Sequence, residues 1–135
     1  MTLLLLLDKF EIVNIDIKPG TSLTFKGVPG SENRFAINLG KDSNNLALHF
    51  NPRFDENVVV CNSLHGGSWQ SEQRERRMNF ARSAVAKFSV HFRGDAFVVK
   101  MPDGSQIVFP NRHGYNSINY IAVRGGFKLT SFKFE

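Results

Sequence analysis

The side chains able to do chemistry crowd between His49 and Arg74. In His49-Phe50-Asn51-Pro52-Arg53 an extended backbone sends alternate residues to opposite faces, so an imidazole, an amide and a guanidinium stand in one row. The opposite face takes Leu46, Leu48, Phe50, Pro52 and Phe54 and is apolar enough to bury. Asn62 shares the parity of Val58 and Val60 in the next run, and Trp69, Glu72 and Arg74 follow a glycine-rich loop. Trp69 and Glu72 are three residues apart and cannot share a face of a regular strand. A joint role therefore requires Trp69 at a loop–strand junction, where a bend or bulge can re-aim it. The set contains no activated nucleophile, no metal-ligand cluster and no phosphate-cradling loop. Many donors and acceptors beside one flat aromatic plate suit a neutral polyol with one apolar face, which is a sugar.

Short strands must position these groups. Glu11 to Ile17 is β-rich and stops at Pro19-Gly20, and Ser22 to Lys26 alternates Leu23 and Phe25 against polar neighbours. Phe35, Ile37 and Leu39 share a face ahead of the polar loop at 41–45. Asp55-Glu56-Asn57 is a reversal before the β-branched run Val58-Val59-Val60. The pattern blurs across 76–84, then Ala86, Phe88, Val90 and Phe92 oppose Lys87, Ser89, His91 and Arg93. Gly94-Asp95 and Pro102-Asp103-Gly104-Ser105 are turns, and the last runs, 118–123 and 127–134, are split by Arg124-Gly125-Gly126. No window of helical length keeps a 3.6-residue repeat. About eleven short strands with frequent turns predict an all-β antiparallel sandwich, and composition does not separate a jelly roll from other sandwiches.

The combination H-F-N-P-R-F, V-C-N-S and W-x-x-E-x-R resembles the galectins, animal lectins for β-galactosides. The resemblance continues through Phe35-Ala36-Ile37-Asn38-Leu39-Gly40, Pro102-Asp103-Gly104, Phe109-Pro110-Asn111-Arg112, Tyr120 and Val123-Arg124-Gly125-Gly126-Phe127. It is nearest to the single-domain prototype galectins of vertebrates. It implies a jelly-roll β-sandwich of two antiparallel sheets, with a leucine-rich extension over 1–9 and one carbohydrate-recognition domain over 10–135. It also implies a lectin that binds lactose- or N-acetyllactosamine-type glycans without metal or cofactor and cross-links glycoconjugates as a homodimer through its terminal strands. By the same resemblance His49, Asn51 and Arg53 hold an axial C4 hydroxyl, Asn62 and Glu72 the C6 hydroxyl, and Glu72 sits where it can bind Arg53 and Arg74, the arginines that reach the next sugar, with Trp69 beneath the ring. A member that kept the fold as a crystallin-like structural protein is the alternative.

Composition narrows the remaining classes. A chain of 135 residues is one domain with room for a core, and thirteen phenylalanines against one tryptophan point to an aromatic interior. One cysteine excludes an intramolecular disulfide framework and suits a reducing compartment. With no N-x-[ST] sequon and no signal-peptide pattern, the expectation is a protein of the cytoplasm that is also exported by an unconventional route. The net charge of +5 invites a nucleic-acid reading, but the basic residues are scattered along the chain and attraction to acidic glycan surfaces fits better. Glycoside hydrolysis needs two opposed carboxylates, whereas the motif row offers Glu72 alone, so no enzyme is expected. Cys61 has no paired base and reads as a small buried apolar residue, and His65, His91 and His113 carry no assigned role. The leucines from Leu3 to Leu7 are too few to span a bilayer. They are expected as either an irregular extension or an apolar strand that pairs with a partner chain.

Overall fold

A computed structural model describes the backbone at residues 2–7 and 10–135 and the side chains from residue 10 onward. The chain runs through thirteen strands: β1 (Thr2–Leu7), β2 (Phe10–Ile17), β3 (Ser22–Pro29), β4 (Phe35–Asp42), β5 (Asn45–Arg53), β6 (Val58–His65), β7 (Ser68–Trp69), β8 (Gln73–Glu75), β9 (Ala86–Phe92), β10 (Ala96–Lys100), β11 (Gln106–Pro110), β12 (Ile118–Gly125) and β13 (Phe127–Phe134). They form two antiparallel sheets. One has the order β1-β13-β3-β9-β10-β11, the other β2-β12-β4-β5-β6-β7, with β8 also on β6. The expected all-β sandwich is the observed one.

The core between the sheets is aromatic. Phe35 stacks on Phe127 at 4.8 Å and meets Phe80 edge-on at 5.2 Å, while Phe88 joins Phe25, Phe50 and Phe80 at 5.2–5.6 Å. Offset and edge-on pairs add about 0.5–1.5 kcal/mol each beyond burial. Phe80 explains the stretch where the sequence pattern blurred: residues 76–84 form no strand, yet its ring is buried in this cluster. Phe50 matters most for function. Fully buried between His49 and Asn51, it fixes which way β5 faces and so turns the polar row outward.

Two expectations need correction. Leu46 does not share the face of Leu48 and Phe50, because a bulge in the β5–β6 ladder between Leu46 and His49 shifts the alternation. Ala47 takes the core position, and Leu46 packs on the other side of the sheet with Leu64, Tyr120 and Ala122. Gly40 permits the irregularity on the β4 side, since a Cβ there would lie 2.1 Å from the Asn45 carbonyl oxygen. The leucine-rich leader is a strand and not an irregular extension. As β1 it lies antiparallel on β13, with Leu3 opposite Phe132 and Leu7 opposite Leu129.

Candidate functional site

The site is built on three neighbouring strands. Register places Asn38 of β4, His49 of β5 and Asn62 of β6 side by side. His49 Nδ1 lies 2.6 Å from Asn38 Oδ1. An amide oxygen only accepts, so Nδ1 carries the proton and Nε2 is left as an acceptor. Burial, reinforced by the positive charge of Arg53, pushes the imidazole down to about 4. His49 is therefore neutral at physiological pH and offers a lone pair.

Asn51 and Arg53 continue the row. Asn51 Nδ2 donates to the Phe35 carbonyl (2.8 Å), and its Oδ1 accepts from Arg53 Nε (2.8 Å). Arg53 Nη1 donates to Glu56 Oε2 (2.9 Å), and its Nη2 faces Glu72 Oε2 at 3.6 Å. Arg74 closes a ring by donating through Nη1 to Glu56 Oε1 and through Nε to Glu72 Oε1, both at 2.9 Å. Two guanidiniums thus alternate with two carboxylates. Arg34 extends the network by donating to Glu56 (2.8 Å) and to both oxygens of Asp55 (3.3 and 3.1 Å). The arginines hold the Glu56 and Asp55 carboxyls below their ordinary values, Arg74 first for Glu56 and Arg34 first for Asp55.

Trp69 arrives by the bend that its spacing from Glu72 requires. Gly66 and Gly67 adopt positive φ of 55° and 80°, which turns the chain back so that Ser68 and Trp69 pair with His65 and Leu64. Residues 70–72 then leave the ladder, and β8 resumes pairing with β6. That break, rather than a bulge inside one strand, lets Trp69 and Glu72 serve one cavity. The indole is 53% exposed and its centroid lies 4.6 Å from the His49 ring. Asn62 is buried. Its Nδ2 donates to the Gln70 carbonyl (3.3 Å), and its Oδ1 accepts from the Ser63 N–H (2.8 Å) and from Arg112 Nη1 (3.4 Å).

Six of the seven predicted residues, His49, Asn51, Arg53, Asn62, Trp69 and Glu72, line one open cavity of about 560 Å³, together with Arg34, Val60 and Gln70. Arg74 stands behind Glu72 and joins through the ionic ring. Asp55 is outside the lining and accepts from the cavity residue Arg34 through both oxygens. Sequence reasoning missed Asn38, Glu56 and Arg34. Asn38 was findable, since it alternates with Ile37 and Leu39 on a strand flanking the row. Glu56 lies in a turn, where period-two reasoning has no purchase. Cys61 is buried, and burial pushes its thiol up to about 12, which leaves no nucleophile at neutral pH. Among the described residues no group of three or more His, Cys, Asp or Glu could hold a metal ion.

The family model for galactoside-binding lectins matches residues 10–134. This chain is a galectin. Human Galectin-2 is 46% identical over 128 residues, spanning 94% of this chain and 97% of its own, and sheep Galectin-1 is 44% identical over 90% and 94%. The crystal structure of chicken Galectin 2 superposes with a TM-score of 0.92 at 53% identity, covering 93% of this chain and 98% of that one. The structure of CG-16, a homodimeric agglutinin from chicken liver, gives 0.89 at 37% identity, covering 94% and 99%. The sandwich of this galectin is thereby the family's jelly roll.

Proposed function

We propose that this galectin binds the terminal β-galactoside of lactose- or N-acetyllactosamine-type glycans, without metal, in the cavity between Trp69 and the His49, Asn51, Arg53 row. One observation carries the reading: a half-exposed indole stands at right reach of a fixed polar row whose bare imidazole nitrogen, amide and guanidinium face one space. Galactose carries an axial C4 hydroxyl, which leaves the C–H groups of one ring face contiguous and apolar. With that face on Trp69, the C4 hydroxyl donates to His49 Nε2 and accepts from Arg53. Asn62 and Glu72 take the C6 hydroxyl, and Glu72 with Arg74 meets the neighbouring sugar. An equatorial hydroxyl, as in glucose, leaves the row unpaired, and that loss is the source of selectivity.

The ionic ring supports binding by fixing donors before ligand arrives. Arg53 is held at three nitrogens, so little rotamer entropy is lost on binding. The single cavity carboxylate, Glu72, is engaged by arginines, which favours binding over catalysis. Sugar hydroxyls exchange water bonds for protein bonds in an open groove, so affinity per site is about 10 μM to 1 mM.

Cross-linking needs two sites, and we assign the second to another copy of the chain. Of the two terminal strands, β13 is covered by β1, so the association runs through the open edge of β2, where Val13 is 53% exposed. Lectin activity outside the cell and a reduced Cys61 within it fit a protein that works in both compartments. A lactose–agarose column tests the binding: the protein is retained and elutes with lactose, whereas a crystallin-like protein flows through.

A further inference from the structure

The sequence scatters its basic residues, but the fold gathers them. The six strands of the β1–β11 sheet contain no aspartate or glutamate and carry Lys26, Lys87, Lys100, Lys128 and Lys133, five of the chain's eight lysines. All five are exposed and alternate with buried residues, so they face away from the core. The other sheet's strands carry four basic and four acidic residues. The surplus charge of the strands therefore sits wholly on the face opposite the sugar cavity.

Stability does not explain the arrangement. Lys26 and Lys87 are directly opposite in the β3–β9 ladder, a like-charge pairing that costs stability. Lys133 pairs with Glu135 at 3.1 Å, and the other four lysines have no carboxylate within ion-pair distance among the described residues. One register row runs Lys133, Thr24, Ser89, Lys100 across four strands, a span of about 14 Å. A shallow depression of about 230 Å³ lies in it, bordered by Thr24, Lys87, Ser89 and Lys100. His91, on the same face, is pushed below its ordinary value by burial and by the charges of Lys100 and Arg93.

We propose that this lysine face is a second glycan site, which takes a sulfated polysaccharide chain independently of the galactoside cavity. Ammonium point charges interleaved with hydroxyls match sulfate groups on a hydroxyl-rich chain. Across β3, β9, β10, β11 and β13, Val108 is the one exposed large hydrophobic among the described side chains, so these five strands present neither an aromatic platform for bases nor an apolar wedge for lipid. Because the two sites lie on opposite faces, one protomer can bridge a galactoside to a sulfated chain.

The test measures affinity for heparin at physiological salt, in saturating lactose, for the wild-type chain, Lys26→Glu/Lys87→Glu and the charge-matched control Arg76→Glu/Arg77→Glu. Wild type is expected to bind heparin at least about tenfold tighter than desulfated heparin, single-stranded DNA or phosphatidylserine vesicles. The lysine variant loses at least about tenfold in heparin affinity and the control less than about threefold, while both keep their lactose affinity and so prove folded. Release from heparin by lactose, equal losses in both variants, or equal binding of DNA or vesicles would each overturn the proposal.

Discussion

The two outer faces of the sandwich solve opposite electrostatic problems. On the cavity face three guanidiniums are answered by carboxylates: Arg34, Arg53 and Arg74 stand against Asp55, Glu56 and Glu72 in one bonded network. On the other face four of five lysines have no carboxylate partner among the described residues, and two of them face each other. A network that neutralises itself fixes geometry and suits a neutral ligand, which must be read by hydroxyl direction. An unanswered field does not fix geometry and suits a ligand that brings its own charge. Charge is abundant on both faces, and pairing is what distinguishes their uses.

The largest effect is expected from Trp69→Ala, which removes the apolar floor: lactose affinity falls about 100-fold or more by calorimetry, while the melting temperature moves little because the ring is half exposed. A collapse of stability would instead make Trp69 part of the core. Glu72→Gln comes next, at about 30-fold weaker lactose binding, since a carboxylate lost from the cavity takes ligand bonds with it. Arg53 stays in place in that variant, because Glu56 and Asn51 still hold it.

Glu56→Gln sharpens the same point. It leaves the cavity lining intact and loosens three arginines, so lactose affinity falls only about three- to tenfold. Equal losses at positions 56 and 72 would merge the roles assigned here.

Acid discriminates within the cavity face. The His49 value is depressed from 6.5 to about 4, so as pH falls below about 6.5 the unfolded chain takes up its proton before the folded one does. The stability that His49 contributes is complete above 6.5 and is lost as pH falls through about 4. Lactose affinity should be flat from about pH 8 to 5 and drop near 4, where Nε2 protonates and ceases to accept. A midpoint near 6.5 would mean an exposed, ordinary imidazole.

The smallest effect is reserved for salt on the cavity side. Raising NaCl from about 50 to about 500 mM should change lactose affinity by less than about twofold, because a neutral sugar meets an internally paired network.

Alternation at His49, Asn51 and Arg53 put three cavity groups on one face because a strand's period is fixed, and the hydrophobic residues between them pinned the orientation. Leu46 was misplaced because a bulge is a hydrogen-bonding irregularity that side-chain identity does not encode. The ionic ring was half legible: Glu72 sits in the motif, but Glu56 reaches Arg74 across 18 positions from within a turn. The lysine face was invisible, since residues 26, 87, 100, 128 and 133 become neighbours only once β3, β9, β10 and β13 are ordered in one sheet.

Paired titrations of lactose and cellobiose, which differ only in the C4 hydroxyl of the terminal ring, ask whether this groove reads an axial hydroxyl above an indole floor. The account predicts a measurable lactose isotherm in the range of about 10 μM to 1 mM, with cellobiose at least about 30-fold weaker. Equal binding of the two sugars, or no binding of either, would contradict it.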